Sequence, residues 1–190
     1  MNRFRLKNLL KRLNRQIHVK TLKVHAESPE YLQKNLLSIL FCLKPKELVN
    51  IEVFGKDDFA PEKVSRGVRK IAMLEQWKLA EKLTIRSCFH YLPSELYMHF
   101  KHFVIVTIDF GQDFLINLRD LFSTSTNFES CTIVSYRLED YPEYLESFCE
   151  KVESGEEVIY HYRISDEPNK VLEFKVDYNQ DEIVIEKKNF

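Results

Sequence analysis

Apolar residues fall into two alternating rhythms along this chain. Leu6, Leu9, Leu10, Leu13 and Ile17 recur at helical spacing, with basic residues largely on the other face, which predicts an amphipathic N-terminal helix over residues 1–18. A second pattern, apolar-x-x-apolar-x-apolar, follows at Val19–Val24, Leu48–Val53, Ala80–Ile85, Phe103–Ile108 and Phe128–Ile133, with starts 29, 32, 23 and 25 residues apart. Each predicts a strand with its last two apolar positions buried.

The segments between these strands suit helices. Ser28 and Pro29 form a plausible start, because the serine can cap and proline loses nothing at the first helical position. Leu32, Leu36, Ile39, Leu40 and Leu43 then share a face until Lys44-Pro45 ends the helix. Helices are also expected over 62–78 through Val64, Val68, Ile71 and Ala72, over 90–100, and over 113–122 through Phe114, Leu118, Leu121 and Phe122. Pro142 opens a last one carrying Leu145, Phe148, Cys149 and Val152. Beyond Gly155 the rhythm becomes purely alternating. Val158–Ile164, Val171–Val176 and Glu182–Glu186 predict an antiparallel meander.

A strand and a helix repeated every 20–30 residues is the signature of leucine-rich-repeat architecture, although the asparagine expected after each strand is missing. The fold expected is α/β: an irregular leucine-rich-repeat-like solenoid of strand–helix units over 19–153. A capping helix precedes it over 1–18, and an antiparallel β meander cap closes it over 156–190. All of it forms one domain, 1–190. A more compact α/β sandwich accommodates the same five strands.

Composition removes several chemistries. With 4 glycines among 190 residues, none of them clustered, phosphate cradles and nucleophile elbows have no material. The 28 basic and 29 acidic side chains leave no general attraction to polyanions. Their distribution is uneven: residues 1–26 hold eight basic and no acidic residues, and 139–157 hold eight acidic residues against Lys151. Such runs guide a partner or simply mark solvated faces. Cys42, Cys88, Cys131 and Cys149 form no C-x-x-C pair and read as reduced thiols of a cytoplasmic or nuclear protein. The longest apolar run, Leu36 to Leu43, is too short to span a bilayer.

His99 and His102, with His90 and Cys88 nearby, lack the second ligand pair that a zinc site needs. Glu75, Trp77 and Lys78 read as the end of a helix packing the lone tryptophan. No nucleophile or acid–base arrangement is recognisable, so neither an enzyme nor a cofactor or metal is expected.

One stretch is familiar. Leu74-Glu-Gln-Trp-Lys-Leu-Ala-Glu-Lys-Leu-Thr-Ile85 resembles the E-Q-W-K-x-A-x-x-L element of the nematode FTH domain found in F-box A proteins. Ile39 to Ile51 resembles that family's I-L-x-x-L-K-P-x-x-L-x-x-I segment, and His99 to Phe103 its H-F-x-x-F element. Leu118-Arg-Asp-Leu121 followed by Phe128-Glu-Ser-Cys131 resembles its next helix–strand step. The resemblance implies the target-holding region of a substrate receptor for cullin-based ubiquitin ligases. In those proteins an F-box docks to a Skp-type adaptor. Met1 to Lys20 shows no F-box pattern, so any link to adaptor and cullin is expected to be indirect. A stand-alone or competing binding protein is the alternative reading, and an RNA binder led by the basic N-terminal helix comes after it.

The function expected is protein–protein interaction with an unidentified target, through the sheet face turned away from the core. By the two-residue period that face carries Thr21, Lys23 and His25; Asn50, Glu52 and Phe54; Lys82, Thr84 and Arg86; Ile105, Thr107 and Asp109; and Ser130, Thr132 and Val134. Lys23, Glu52, Phe54, Thr84, Arg86, Thr107 and Asp109 are the candidate contact residues, with Phe54 and Arg86 of the types that dominate interfaces.

Overall fold

Strands form at all five repeats of the apolar pattern, and three of them bring a recurring backbone bond. The computed structural model describes residues 16–25, 29–54, 70–86, 97, 99–107, 111–135, 141–153 and 157–189. The chain divides into two compact units, residues 1–100 and 101–190, of mixed α/β structure.

In the first unit, β1 (Thr21–His25), β2 (Asn50–Phe54) and β3 (Lys82–Arg86) pair in parallel and in register. Helix α1 (Pro29–Leu40) and a 3-10 turn at Pro45–Glu47 connect β1 to β2. Proline opens both, where its missing N–H costs nothing. A helical turn at 70–72 and the short α2 (Glu75–Lys78) lead into β3. Leu22, Val24, Ile51, Val53, Leu83 and Ile85 point to the core and are buried. Leu36, Leu40, Leu43, Leu48, Ile71 and Trp77 join that core from the connecting segments.

The second unit places β4 (His102–Thr107) parallel to β5 (Ser130–Ser135), joined through α3 (Gln112–Thr124). After α4 (Tyr141–Glu146) come β6 (Glu150–Glu153), β7 (Glu157–Arg163), β8 (Lys170–Asp177) and β9 (Glu182–Asn189), each antiparallel to the next. Strand β9 also pairs antiparallel with β5, so the meander occupies the edge of β5 that β4 leaves open. Phe103, Phe122 and Phe128 pack as a cluster, with the rings of Phe122 and Phe128 stacked at 3.8 Å.

The recurring bond lies just before β2, β3 and β5. The Lys20 carbonyl accepts from both Val49 N–H and Asn50 N–H at 2.9 and 3.0 Å. Val49 carbonyl does the same for Glu81 and Lys82 (2.9 and 3.0 Å), and Lys101 carbonyl for Glu129 and Ser130 (2.9 and 3.1 Å). Lys20, Val49, Glu81 and Glu129 are each the second residue of the sequence pattern, so Lys101 must be as well. The fourth pattern therefore begins at Phe100 and not at Phe103, as the register Phe103↔Cys131 and Ile105↔Ile133 also requires.

That three-residue displacement reverses the expected faces of β4. Phe103 and Ile105 are buried, at 3% and 8% exposure, and His102, Val104 and Val106 are the half-buried positions of the other face. Ile105 is thus a core residue. Thr107 shares its register, opposite the buried Ser135. The cause is the run Phe103-Val-Ile-Val106, in which every residue is apolar. Alternation carries no phase there, and an odd slip exchanges the two faces.

The final helix also differs from expectation. It ends at Glu146, and Val152 lies in β6, 55% exposed. A β-branched residue is at home in a strand, and pairing with β7 takes over where the helix stops. Of the N-terminal helix expected over residues 1–18, residues 1–15 lie outside the described residues, as do Val64, Val68, Cys88, His90 and Asp109. Ile17 forms an extended bridge to Leu43 and not helix. Among the described residues no helix is long and apolar enough to cross a membrane.

Candidate functional site

The Glu75–Lys78 element is a structural clasp. Gln76 is buried, and its Nε2 donates to the Leu43 carbonyl at 2.9 Å, tying α2 to the end of the first helical segment. Ile17 is held there too, bridging to Leu43 through Ile17 N–H to Cys42 carbonyl (2.8 Å) and Lys44 N–H to Ile17 carbonyl (2.9 Å). Trp77, 2% exposed, meets the Phe100 ring edge-on at 5.2 Å, and the His99 Nε2 lies 2.8 Å from the Trp77 carbonyl. Burial holds the His99 pKa below its ordinary value, against the raising effect of that bond. The ring is therefore neutral at pH 7, with Nε2–H as donor. The E-Q-W-K and H-F-x-x-F elements are two halves of one packing arrangement.

The candidate contact residues lie on the opposite side of β1–β3. In-register pairing arranges them in rows: Thr21–Asn50–Lys82, Lys23–Glu52–Thr84 and His25–Phe54–Arg86. Lys23, Glu52, Phe54, Thr84 and Arg86 are therefore brought onto one face, within two adjacent rows. Of the remaining two candidates, Thr107 belongs to β4 of the second unit and Asp109 lies outside the described residues.

Within the rows, side chains satisfy one another unevenly. Lys23 Nζ reaches Glu52 Oε2 at 2.8 Å, and Asn50 Nδ2 donates to Glu52 Oε1 at 3.0 Å, so both carboxylate oxygens are occupied. The Glu52 side chain is only 15% exposed. In the outer row the His25 ring stacks on Phe54 at 4.5 Å with 10° between planes. From the strand on the other side, the Arg86 guanidinium lies 5.4 Å from the Phe54 centroid. A cation over an aromatic face at this distance is attracted by the ring's electron density.

His25, Asn50 and Lys82 belong to this face but were not singled out by residue type. The register supplies that signal, since each sits directly beside a candidate residue on a neighbouring strand.

In the second unit a cleft of about 510 Å³ is lined by Thr126, Phe128, Glu129, Glu167, Lys170, Lys187 and Asn189. Its charges are engaged. Glu167 binds Lys170 and Lys187, and Lys187 Nζ also donates to the carbonyls of Ser123 and Ser125 at 3.4 and 3.3 Å. Lys187, its side chain 9% exposed, is thus a half-buried cationic cap on the C-terminal end of α3. Glu129 pairs with His102 at 3.3 Å. Burial raises the Cys131 thiol pKa and pushes Cys149 up to about 12 although Arg119 pulls it down, which makes both thiols poor nucleophiles.

The clasp residues and the strand order meet in a family. The family model described as the FTH domain matches residues 4–151. The chain belongs to the FTH domain family. That match takes in both FTH sequence elements joined at Trp77, all three strands of the first unit, and β4 and β5. It ends within β6, ahead of β7, β8 and β9. No curated protein and no solved structure matches the chain.

Proposed function

We propose that this FTH chain is a protein-interaction module that holds a target protein on the outward face of β1–β3 and performs no chemistry on it. The observation that carries this reading is the row His25–Phe54–Arg86. An aromatic side chain is stacked between an imidazole and a guanidinium on an otherwise polar sheet. Rigid aromatic and arginine groups on a preformed sheet lose little conformational freedom on binding, which is what concentrates affinity in a few residues. The repeated backbone bond before β2, β3 and β5 supports building the module from leucine-rich-repeat-like strand–helix units. Membership of the FTH family supports a role like the target-holding region of F-box receptors. The adaptor and cullin would be reached indirectly in the cytoplasm or nucleus.

The test is quantitative capture of proteins on the wild-type chain, Phe54→Ala and Arg86→Ala. Proteins that bind the face are lost from both variants together, by at least about 2 kcal/mol or roughly thirtyfold in affinity. A Skp-type adaptor and cullin among the retained proteins place the chain in the ligase, and their absence makes it a stand-alone binder. Full retention of every captured protein by both variants refutes the face.

A further inference from the structure

The charges of this face do not cancel, and what remains defines the partner. Glu52 is neutralised by Lys23 and by the Asn50 amide. Lys82 and Arg86, both exposed, have no acidic partner among the described residues. They share the outward side of β3, four residues apart, which at about 3.3 Å per residue separates their backbones by about 13 Å. Thr84 lies between them, half-buried and able to donate or accept a hydrogen bond.

From this arrangement we propose that the β1–β3 face takes an acidic, extended protein segment, with carboxylates engaging Lys82 and Arg86. The proposal rests on the reading of this face as the binding surface and adds the chemistry of what binds. Arg86 suits a carboxylate particularly. Its guanidinium lies 5.4 Å from the Phe54 centroid, and no acid among the described residues takes up the N–H fork that suits a carboxylate. Nucleic acid fits the same face less well. Phe54 has His25 against it from β1 and Arg86 from β3, so neither ring face is open for base stacking. Two cations are also a short track for a phosphate backbone.

The experiment measures fluorescence anisotropy with a labelled random copolymer of glutamate and tyrosine, beside a lysine–tyrosine copolymer and oligouridylate. The wild-type chain is compared with Lys82→Glu, Arg86→Glu and Lys175→Glu, the last a charge reversal on the meander. The expected result is preferential binding of the glutamate copolymer, weakened about tenfold or more by each β3 reversal and unaltered by Lys175→Glu. Lys82 is exposed and touches no described partner, so its variant reports on binding without a folding defect.

Equal weakening by all three reversals, or no weakening by either β3 variant, overturns the proposal. So does preference for oligouridylate or the lysine copolymer. If the glutamate copolymer fails to bind while Phe54→Ala still loses its captured protein, the face stands and the acidic partner falls. If Phe54→Ala loses nothing either, both fall.

Discussion

The sheet of the first unit and the meander of the second treat their outward charges differently. On the meander, Glu173 faces Glu186 directly across β8 and β9, an arrangement that should repel. Lys188 bridges the two, binding Glu173 and lying 3.1 Å from Glu186, and His161 approaches Glu173 at 3.1 Å. Lys175 meets Glu157 at 2.6 Å, and Lys187 and Lys170 share Glu167. On β1–β3 a single acid meets Lys23, and Lys82 and Arg86 are left over. On the meander every lysine and arginine meets an acid. On β1–β3, Lys82 and Arg86 have no acidic partner among the described residues. Polar surface alone does not separate the two, but ion pairing does.

The contrast can be broken most forcefully at the clasp. Trp77→Ala removes a buried ring from the first unit and should cost about 3–5 kcal/mol, measured by denaturant unfolding. If the two units unfold separately, the loss appears in the first transition alone. Next in size is Lys187→Met, which leaves the end carbonyls of α3 and Glu167 without their ammonium, at about 1–3 kcal/mol. That loss belongs to the second unit.

Acid should attack the units in different windows. His99 has a folded pKa below its ordinary 6.5, so the unfolded chain takes up its proton first. Its contribution is complete above about pH 6.5 and is lost as pH falls from there toward the lower folded value. For Glu173, burial works to raise the pKa, but the bonds from Lys188 and His161 outweigh it and hold the pKa below 4.5. Its contribution is complete above about pH 4.5 and disappears as pH falls through the folded value. Stability against pH for His99→Gln and Glu173→Gln, each beside the wild-type chain, separates these windows. The smallest effects should come from the binding face. Lys82→Ala should change stability by no more than about 0.5 kcal/mol, as fits an exposed side chain with no ion pair among the described residues.

How much of this was legible in the sequence depends on how polar each strand is. In Thr21–His25 and Lys82–Arg86 polar and apolar residues alternate, and the face of every residue followed. In Phe103–Val106 four consecutive apolar residues erased the phase, so Ile105 was expected outside and lies in the core. The neighbouring Phe100 marks the correct start, but only backbone bonding at Lys101 distinguishes it from Phe103. The E-Q-W-K element was legible as a family mark and as the packing site of the tryptophan. Its bond from Gln76 to Leu43 spans 33 residues and has no local pattern to reveal it. The stack of His25, Phe54 and Arg86 follows from register. Three strands separated by some thirty residues must first be aligned before those side chains become neighbours.

The most direct test places a photo-crosslinking benzoylphenylalanine at one position on each surface, Thr84 on β3 and Lys175 on β8, and irradiates the chain with its captured target. The account predicts a crosslinked target from position 84 and none from position 175. Crosslinking from position 175 with none from position 84 would contradict it, and the surface whose cations are all paired would be the one that binds.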